Sequence, residues 1–301
     1  MRRNDIDESA LIEWSKDFED LMVVRKFEKQ STYHEDDGSE KKIGVFLDVE
    51  TTGKNKLTDE IVQLGMVALE FSPESGKVFR VLGEYDKLEE PHVEFTDEAS
   101  AINGLTMEDV KGCKMIDSEV ENFIKDAVII LAHNASFDRC FIEKRFPFFE
   151  GKCWGCSMVD VDWGLNGFDC RALKALAYEY GYFYTAHRAV NDCYASINLL
   201  TKELPVSGGF VLTNLLTNAR ESAHRVYAWK SHISTKDILK GKGYRWNANF
   251  DYGDGGKHKG VWSIDVNKNC SAKEVEWLKN TLGLNAKVCS VNAYSRHSGR
   301  M

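Results

Sequence analysis

Apolar and polar positions along the 301-residue chain fall into short blocks whose period changes several times. Residues 8–29 (ESALIEWSKDFEDLMVVRKFEK) set Leu11, Ile12, Trp14, Phe18, Leu21 and Met22 at helical spacing, which predicts one or two helices packed on a main domain. The polar, acidic stretch 31–42 predicts a loop. GVFLDVE (44–50), EIVQLGMVALEF (60–71) and KVFRVLGEYD (77–86) are short apolar runs separated by turn residues, and they predict three strands joined as hairpins. Helices are predicted near 97–102, at 106–110 behind a Thr-x-x-Asp cap, and at 118–126. AVIILAHN (127–134) predicts a buried strand, and SFDRCFIEKRF (136–146) a helix with Phe137, Cys140 and Phe141 on one face. CSMVDVDW (156–163) predicts a strand, CRALKALAYEYG (170–181) a helix closed by glycine, and AVNDCYASINLLTKEL (189–204) a further helix.

Hairpin strands followed by strands alternating with helices imply an α/β fold, a mixed sheet covered by helices on both faces. After the Pro-Val-Ser-Gly-Gly break at 205–209, residues 209–229 predict a long connecting helix. The remainder predicts a small α+β domain. It has a helix in TKDILKGKG, strands in YRWNANF and KGVWSIDV joined by a glycine-rich link, and a helix in SAKEVEWLKNTLG. The expected organisation is thus an N-terminal helical extension and loop (1–42), a main domain (43–204), a linker and connecting helix (205–229) and an accessory domain (230–301).

Charge sharpens that division. The net charge is −8, yet from Arg225 onward there are 14 basic and 6 acidic residues, against 25 basic and 41 acidic before it. An acidic body with a basic appendage suggests that one part holds a polyanion and the other processes it. No run of about 18 apolar residues occurs, and the first ten residues carry no apolar stretch, so a cytoplasmic protein without a membrane span is expected. The eight cysteines lack a framework spacing; Cys153 and Cys156 form a C-x-x-C with no second pair, so zinc is not expected and free thiols are.

The candidate chemistry begins in the first strand. Residues i and i+2 of a strand point the same way, so Asp48 and Glu50 share a face at the end of an apolar run. Two like charges so close raise each other's pKa. Either the pair lies on a solvated edge, or a divalent cation relieves the conflict, for which oxygen ligands suit magnesium or manganese. Asp138 opens the helix after the buried strand, and His187 precedes Asp192 by five residues at another helix entry.

Taken in order, F-L-D-V-E-T-T-G (46–53), A-H-N-A-S-F-D (132–138) and H-R-A-V-N-D (187–192) resemble the three motifs of the DnaQ-like 3′–5′ exonucleases, in the branch with a histidine in the third motif. The resemblance spans roughly 43–204. The lead-in LMVVRKF, the CSMVDVDW segment and YGYFYTAHRA look like bacterial and phage members that carry an appended C-terminal module. A clamp-binding Q-L-x-L-F peptide is not found. The resemblance implies an RNase H-like fold with a mixed five-stranded sheet, and a site with two divalent cations, Mg²⁺ or Mn²⁺. It implies that Asp48, Glu50, Asp138 and Asp192 are the metal ligands and His187 the general base. It also implies that Thr51, Thr52 and Gly53 approach the terminal nucleotide. Asn103 stands where relatives often carry histidine, Asn134 orients the backbone near the site, and Phe137 is expected in the core.

In the basic appendage, Lys240, Lys242 and Arg245 interleave with Tyr244 and Trp246, a pattern that suits a surface tracking a phosphate backbone and stacking bases. Trp229, Trp262 and Trp277 either join that surface or fill the small core. The expected activity is release of 5′-mononucleotides from single-stranded DNA ends. RNA trimming, a non-catalytic nucleic-acid-binding protein on the same fold, and a subunit docking a polymerase or repair partner through the module are the alternatives.

Overall fold

The computed structural model describes residues 22–254 and 258–299. In chain order its elements are β1 (Arg25–Lys26), β2 (Lys42–Thr51), β3 (Ile61–Phe71), β4 (Val78–Leu88), α1 (Asp97–Asn103), α2 (Met107–Val110), α3 (Asp117–Ile124), β5 (Ile129–Ala132), α4 (Ala135–Arg145), β6 (Trp154–Cys156), α5 (Leu173–Glu179), β7 (Tyr182–Phe183), α6 (Ala189–Leu200), α7 (Val211–Arg220), β8 (Ala223–Ala228), α8 (Lys236–Gly241), β9 (Arg245–Asp251), β10 (Lys259–Asn267), α9 (Ser271–Leu282) and β11 (Ala286–Val291). Short 3₁₀ turns link several of them. The described residues divide into two compact units, one of residues 22–218 with 297–299, the other of residues 219–254 with 258–296.

The first unit is built on a five-stranded sheet in the order β4-β3-β2-β5-β6. Strands β2, β3 and β4 pair antiparallel; β5 and β6 pair parallel to β2 and to each other. The apolar runs explain the order. β3 is buried along nearly its whole length and β2 from Gly44 to Thr51 apart from Asp48, as strands flanked on both edges and covered on both faces must be. One face of β2 presents Val45, Leu47 and Val49 to a core with Phe141, Ile142, Phe146 and Trp154. The other presents Phe46, Asp48 and Glu50, and α6 packs against β2 and β3.

Gly65 makes that packing close. It lies opposite Asp48 in the β2–β3 register. A Cβ there would stand 2.4 Å from the Val190 nitrogen and 2.5 Å from the Ala189 carbonyl carbon, inside the first turn of α6. Glycine therefore lets the start of α6, with Asp192, come down onto the strand that carries Asp48.

The second unit has an antiparallel sheet in the order β11-β8-β10-β9. Val226, Ala228 and Trp262 from the sheet pack with Leu239 of α8, Leu278 of α9 and Tyr244.

Several sequence expectations are corrected. The helices expected over 8–29 fall mostly outside the described residues; within them, Arg25–Lys26 is a strand parallel to β7, so the later part is not helical. The strand expected at 156–163 is Trp154–Cys156, and the chain then turns. Asp160 causes the turn: its Oδ2 accepts the Cys156 N–H at 2.8 Å while its own N–H donates to Cys156 O. The connecting helix expected over 209–229 ends at Arg220, and β8 follows. Val226 and Ala228 alternate with Arg225 and Tyr227, so one side alone faces the helices. β11 is a strand that the sequence pattern does not predict.

Candidate active site

The carboxylates gather where the C-terminal ends of β2 and β5 meet the first turns of α4 and α6. One oxygen from each of Asp48, Glu50 and Asp192 lies within 4.8 Å of the others. Asp138, 2% exposed in the first turn of α4, reaches back to β2, where its Oδ1 accepts the Val49 N–H at 3.2 Å. All four carboxyls are pushed above their ordinary range. For Asp48 the cause is burial first, then the charges of Asp138, Asp192 and Glu50. Burial also leads for Asp138, against hydrogen bonds from its own N–H and that of Val49 that favour the anion. Glu50 rises to about 7 through burial and Asp192, with Arg188 opposing. Asp192 rises by burial, opposed by the Tyr184 hydroxyl and backbone donors.

Asp192 is held from three sides. Tyr184 Oη donates to Oδ1 at 2.9 Å, and the N–H groups of His187 and Arg188 donate to Oδ2 at 2.8 and 3.2 Å. An ionised carboxylate oxygen offers two lone-pair positions, so both on Oδ2 are taken and one on Oδ1 stays open. His187 has φ 63°, the left-handed conformation, which turns its N–H onto Asp192. Lys174 Nζ lies 3.2 Å from His187 Nε2, so this nitrogen accepts and the ring proton sits on Nδ1. His133 is not a comparable base. Its Nε2 lies 2.9 Å from the Arg171 carbonyl and must donate, its Nδ1 accepts from Ser157 Oγ, and burial lowers its pKa to about 4.

Beside the carboxylates lies a cleft of about 160 Å³, walled by Val49, Glu50, Thr51, Gly53, Ile102, Asn103 and Phe137 among others. Thr51, Gly53 and Asn103, expected near a terminal nucleotide, therefore line one cleft. Asn103 also braces the loop, with Nδ2 donating to Thr51 O and Oδ1 accepting from Leu105 N–H. Thr52 departs from expectation: it is wholly buried, and its hydroxyl oxygen accepts the Glu60 N–H, so it fixes the turn instead of facing the cleft. Phe137 is only partly buried and lines the cleft as well as packing against Phe141. Asn134 adopts φ 80° as the N-cap of α4, giving the sharp turn from β5 that brings Asp138 round.

Sequence reasoning missed Tyr184, Arg188 and Gln63. Arg188 Nη1 donates to Asn103 O, joining the third motif to the cleft wall, and Gln63 Oε1 accepts the Ala189 N–H at the start of α6. Tyr184 stands three residues before His187, but nothing in one sequence shows its hydroxyl reaching Asp192. Lys240, Lys242 and Arg245 lie in the second unit. Lys242 is drawn over the Trp277 ring, 4.6 Å from its centroid, and Tyr244 is core, its hydroxyl donating to Glu274. Trp262 belongs to the core with Trp277 against it, Trp246 is half exposed, and Trp229 meets Tyr252 edge-on under Lys287.

The exonuclease family model, RNase_T, matches residues 45–200. The chain belongs to this exonuclease family, and its motifs and fold are those of the DnaQ-like 3′–5′ type. The PolC-type DNA polymerase III of Thermotoga maritima is 30% identical over 132 residues, covering 43% of this chain and 8% of the polymerase. That of Staphylococcus epidermidis is 26% identical over 209 residues, covering 63% of this chain and 13% of the polymerase. The chain thus spans only a small part of these relatives' length. A solved structure of exonuclease I superposes with a TM-score of 0.50 at 16% identity, covering 84% of this chain and 63% of that one, which shows the shared fold. Among the described residues, no helix is long and apolar enough to cross a membrane.

Proposed function

We propose that the protein is a divalent-metal-dependent 3′–5′ exonuclease that releases 5′-mononucleotides from single-stranded DNA ends. The observation that carries this reading is the convergence of Asp48, Glu50 and Asp192, with Asp138 behind them, beside an apolar-walled cleft. The donor set fits hard cations: four carboxylates, no thiolate, and carboxyls raised above their ordinary range by burial first and then by neighbouring carboxylates. Asp48, Glu50, Asp138 and Asp192 would hold two ions, Mg²⁺ or Mn²⁺. When bound, these neutralise charge on the scissile phosphate and lower the pKa of attacking water.

The chain's own residues supply the rest. Ile102, Phe137 and Val49 bury the terminal base, while Thr51 and Asn103 fix the turn around it. His187 Nε2 takes a proton from the attacking water once Lys174 swings off it toward the substrate's phosphate. The water oxygen bonds to phosphorus, the bond from phosphorus to the 3′-oxygen breaks, and that oxygen takes a proton from solvent water and leaves as a hydroxyl, while His187 returns its proton to solvent. The basic second unit would grip the same strand through its lysines, raising affinity more than turnover.

The test is a cleavage assay on 5′-labelled single-stranded DNA and RNA of one sequence, with Mg²⁺, Mn²⁺ or EDTA. A ladder shortening from the 3′ end, lost in EDTA and reduced more than about a hundredfold by Asp192→Ala, is expected. The faster substrate decides the sugar. Wild-type rate in Asp192→Ala refutes the metal assignment.

A further inference from the structure

The first unit holds a second group of buried charges that the proposed chemistry leaves unused. Arg139 follows Asp138 on α4 and is wholly buried; its Nε donates to Glu143 Oε1 at 2.6 Å, and its guanidinium lies 5.2 Å from the Trp154 ring centroid. Asp160, in the turn after β6, is 5% exposed. One short segment from far along the chain meets both carboxylates. Ser298 Oγ donates to Glu143 Oε2 at 2.7 Å, and His297 Nε2 lies 2.9 Å from Asp160 Oδ2. His297 and Ser298 are themselves buried, and His297 takes the left-handed φ of 69°. Gly299 runs so close to α4 that a Cβ on it would stand 2.9 Å from Cys140 Sγ. The chain leaves this unit beside the same place, for Asn218 Nδ2 donates to Asp160 O at 3.2 Å.

Buried charges impose strict geometry, because an ion pair short of a hydrogen bond is costly in a low-dielectric interior. Arg139 and Glu143 sit on the helix that carries Asp138, and Asp160 holds the end of β6, where Cys156 Sγ accepts the Ala135 N–H at the start of that helix. A helix moves as a rod, so a shift at Cys140 and Glu143 is passed to its first turn, and metal ligands tolerate only about 0.5 Å of misplacement. The Val49 N–H meets Asp138 at 3.2 Å, the long end of the ordinary range, so the carboxylate's place also depends on where α4 sits. We propose that His297 and Ser298 are positioning residues for Asp138: the segment 297–299 clamps α4 in register with β2 and sets the affinity of the metal site. Residues 219–296, which make up nearly all of the second unit, are then an insertion whose flanking residues Asn218 and His297, both of the first unit, meet Asp160.

This rests on the reading of the four carboxylates as a metal site, and the test separates the two. Mn²⁺ binding is titrated by electron paramagnetic resonance on the full chain without substrate, alongside hydrogen exchange of the α4 amides. Ser298→Ala should weaken Mn²⁺ binding about tenfold and speed α4 exchange, and Ser298→Thr, which keeps the hydroxyl, should restore both. His297→Gln, on the other carboxylate, is read in the same way should Ser298→Ala fold poorly. Lower thermal stability with unchanged Mn²⁺ affinity makes the segment a plug and overturns the proposal, as does unchanged behaviour in every variant. Absence of Mn²⁺ binding by the wild type overturns the metal reading, and the clamp's role with it.

Discussion

Replacing Glu50 with glutamine should make the metal-free protein more stable at neutral pH, and by an amount that depends on pH. Burial and the charge of Asp192 raise the Glu50 carboxyl from its ordinary value of 4.5 to about 7. Between those values the folded protein keeps a proton that the unfolded chain has released. Stability changes with pH in proportion to protons bound by the unfolded chain minus those bound by the folded one. That difference is negative here, so stability falls as pH rises through this window. At roughly 1.4 kcal/mol per pH unit, the gap is worth about 3 kcal/mol. Glutamine has no proton to release, so the variant lacks this component. Urea denaturation in EDTA from about pH 4 to pH 8, followed by fluorescence to which the wholly buried Trp154 and Trp163 contribute, reads the difference. The variant should gain on the wild type by about 3 kcal/mol across the range, and adding Mn²⁺ should reverse the order by stabilising the wild type more. Parallel stability curves, or a wild type that gains on the variant as pH rises, would refute the assignment of Glu50 to a buried, crowded carboxylate cluster.

Tyr184→Phe removes one of three donors from Asp192 and should weaken Mn²⁺ binding about tenfold while the fold survives, as measured by metal titration; unchanged affinity would mean the two backbone donors suffice. Gly65→Ala drives a methyl into the first turn of α6 and should cost about 1–3 kcal/mol and most of the activity, read by urea denaturation and the cleavage assay. Gly83→Ala, where a Cβ meets nothing within 4 Å, should change neither by comparison. Neutralising Lys240, Lys242 and Arg245 together should lower the slope of log affinity against log salt on single-stranded DNA by up to about 2, at roughly 0.7 for each phosphate no longer neutralised. An unaltered slope in filter binding would remove those three cations from the substrate path.

What could be read from the sequence follows from how local each feature is. β2 and β3 are buried on both faces, so their apolar runs are continuous and visible, and Asp48 and Glu50 stand out against them. Asp138 and Asp192 sit in helix first turns within motifs that keep their spacing. β8 was not legible as a strand because SAHRVYAW satisfies a period of two and nearly a helical one, and only the facing helices select between them. Thr52 lies in the motif yet turns inward, since its hydroxyl serves the Glu60 N–H across the loop and so holds the turn closed from within. Tyr184 and Gln63 act through long-range hydrogen bonds that a single sequence does not reveal. The least legible stretch is 297–299: a polar Ser-Arg-His-Ser-Gly run reads as surface, and its burial becomes apparent only when Glu143 and Asp160 are seen to meet it.

The same carboxylates that suit the site for cations make its metal-free form costly, and the surrounding groups limit the cost without removing it. Donors converge on the anions: Val49 N–H on Asp138, and Tyr184, His187 and Arg188 on Asp192. Each favours the charged form, yet every one of the four carboxyls still lies above its ordinary pKa, so burial and mutual repulsion outweigh the donors. A scaffold that only needed stability would place apolar side chains at Asp48 and Glu50, in a strand otherwise buried from Gly44 to Thr51. The conflict is tolerated because the elements holding it are fixed elsewhere. α6 is locked onto the sheet at Gly65, and α4 is anchored by Phe141 and Ile142 in the core and by the buried Arg139 against the Trp154 ring. Rigid supports around a repulsive centre keep the carboxyls from relaxing apart, and on the proposed reading a bound cation would relieve that repulsion, the release forming part of its binding energy.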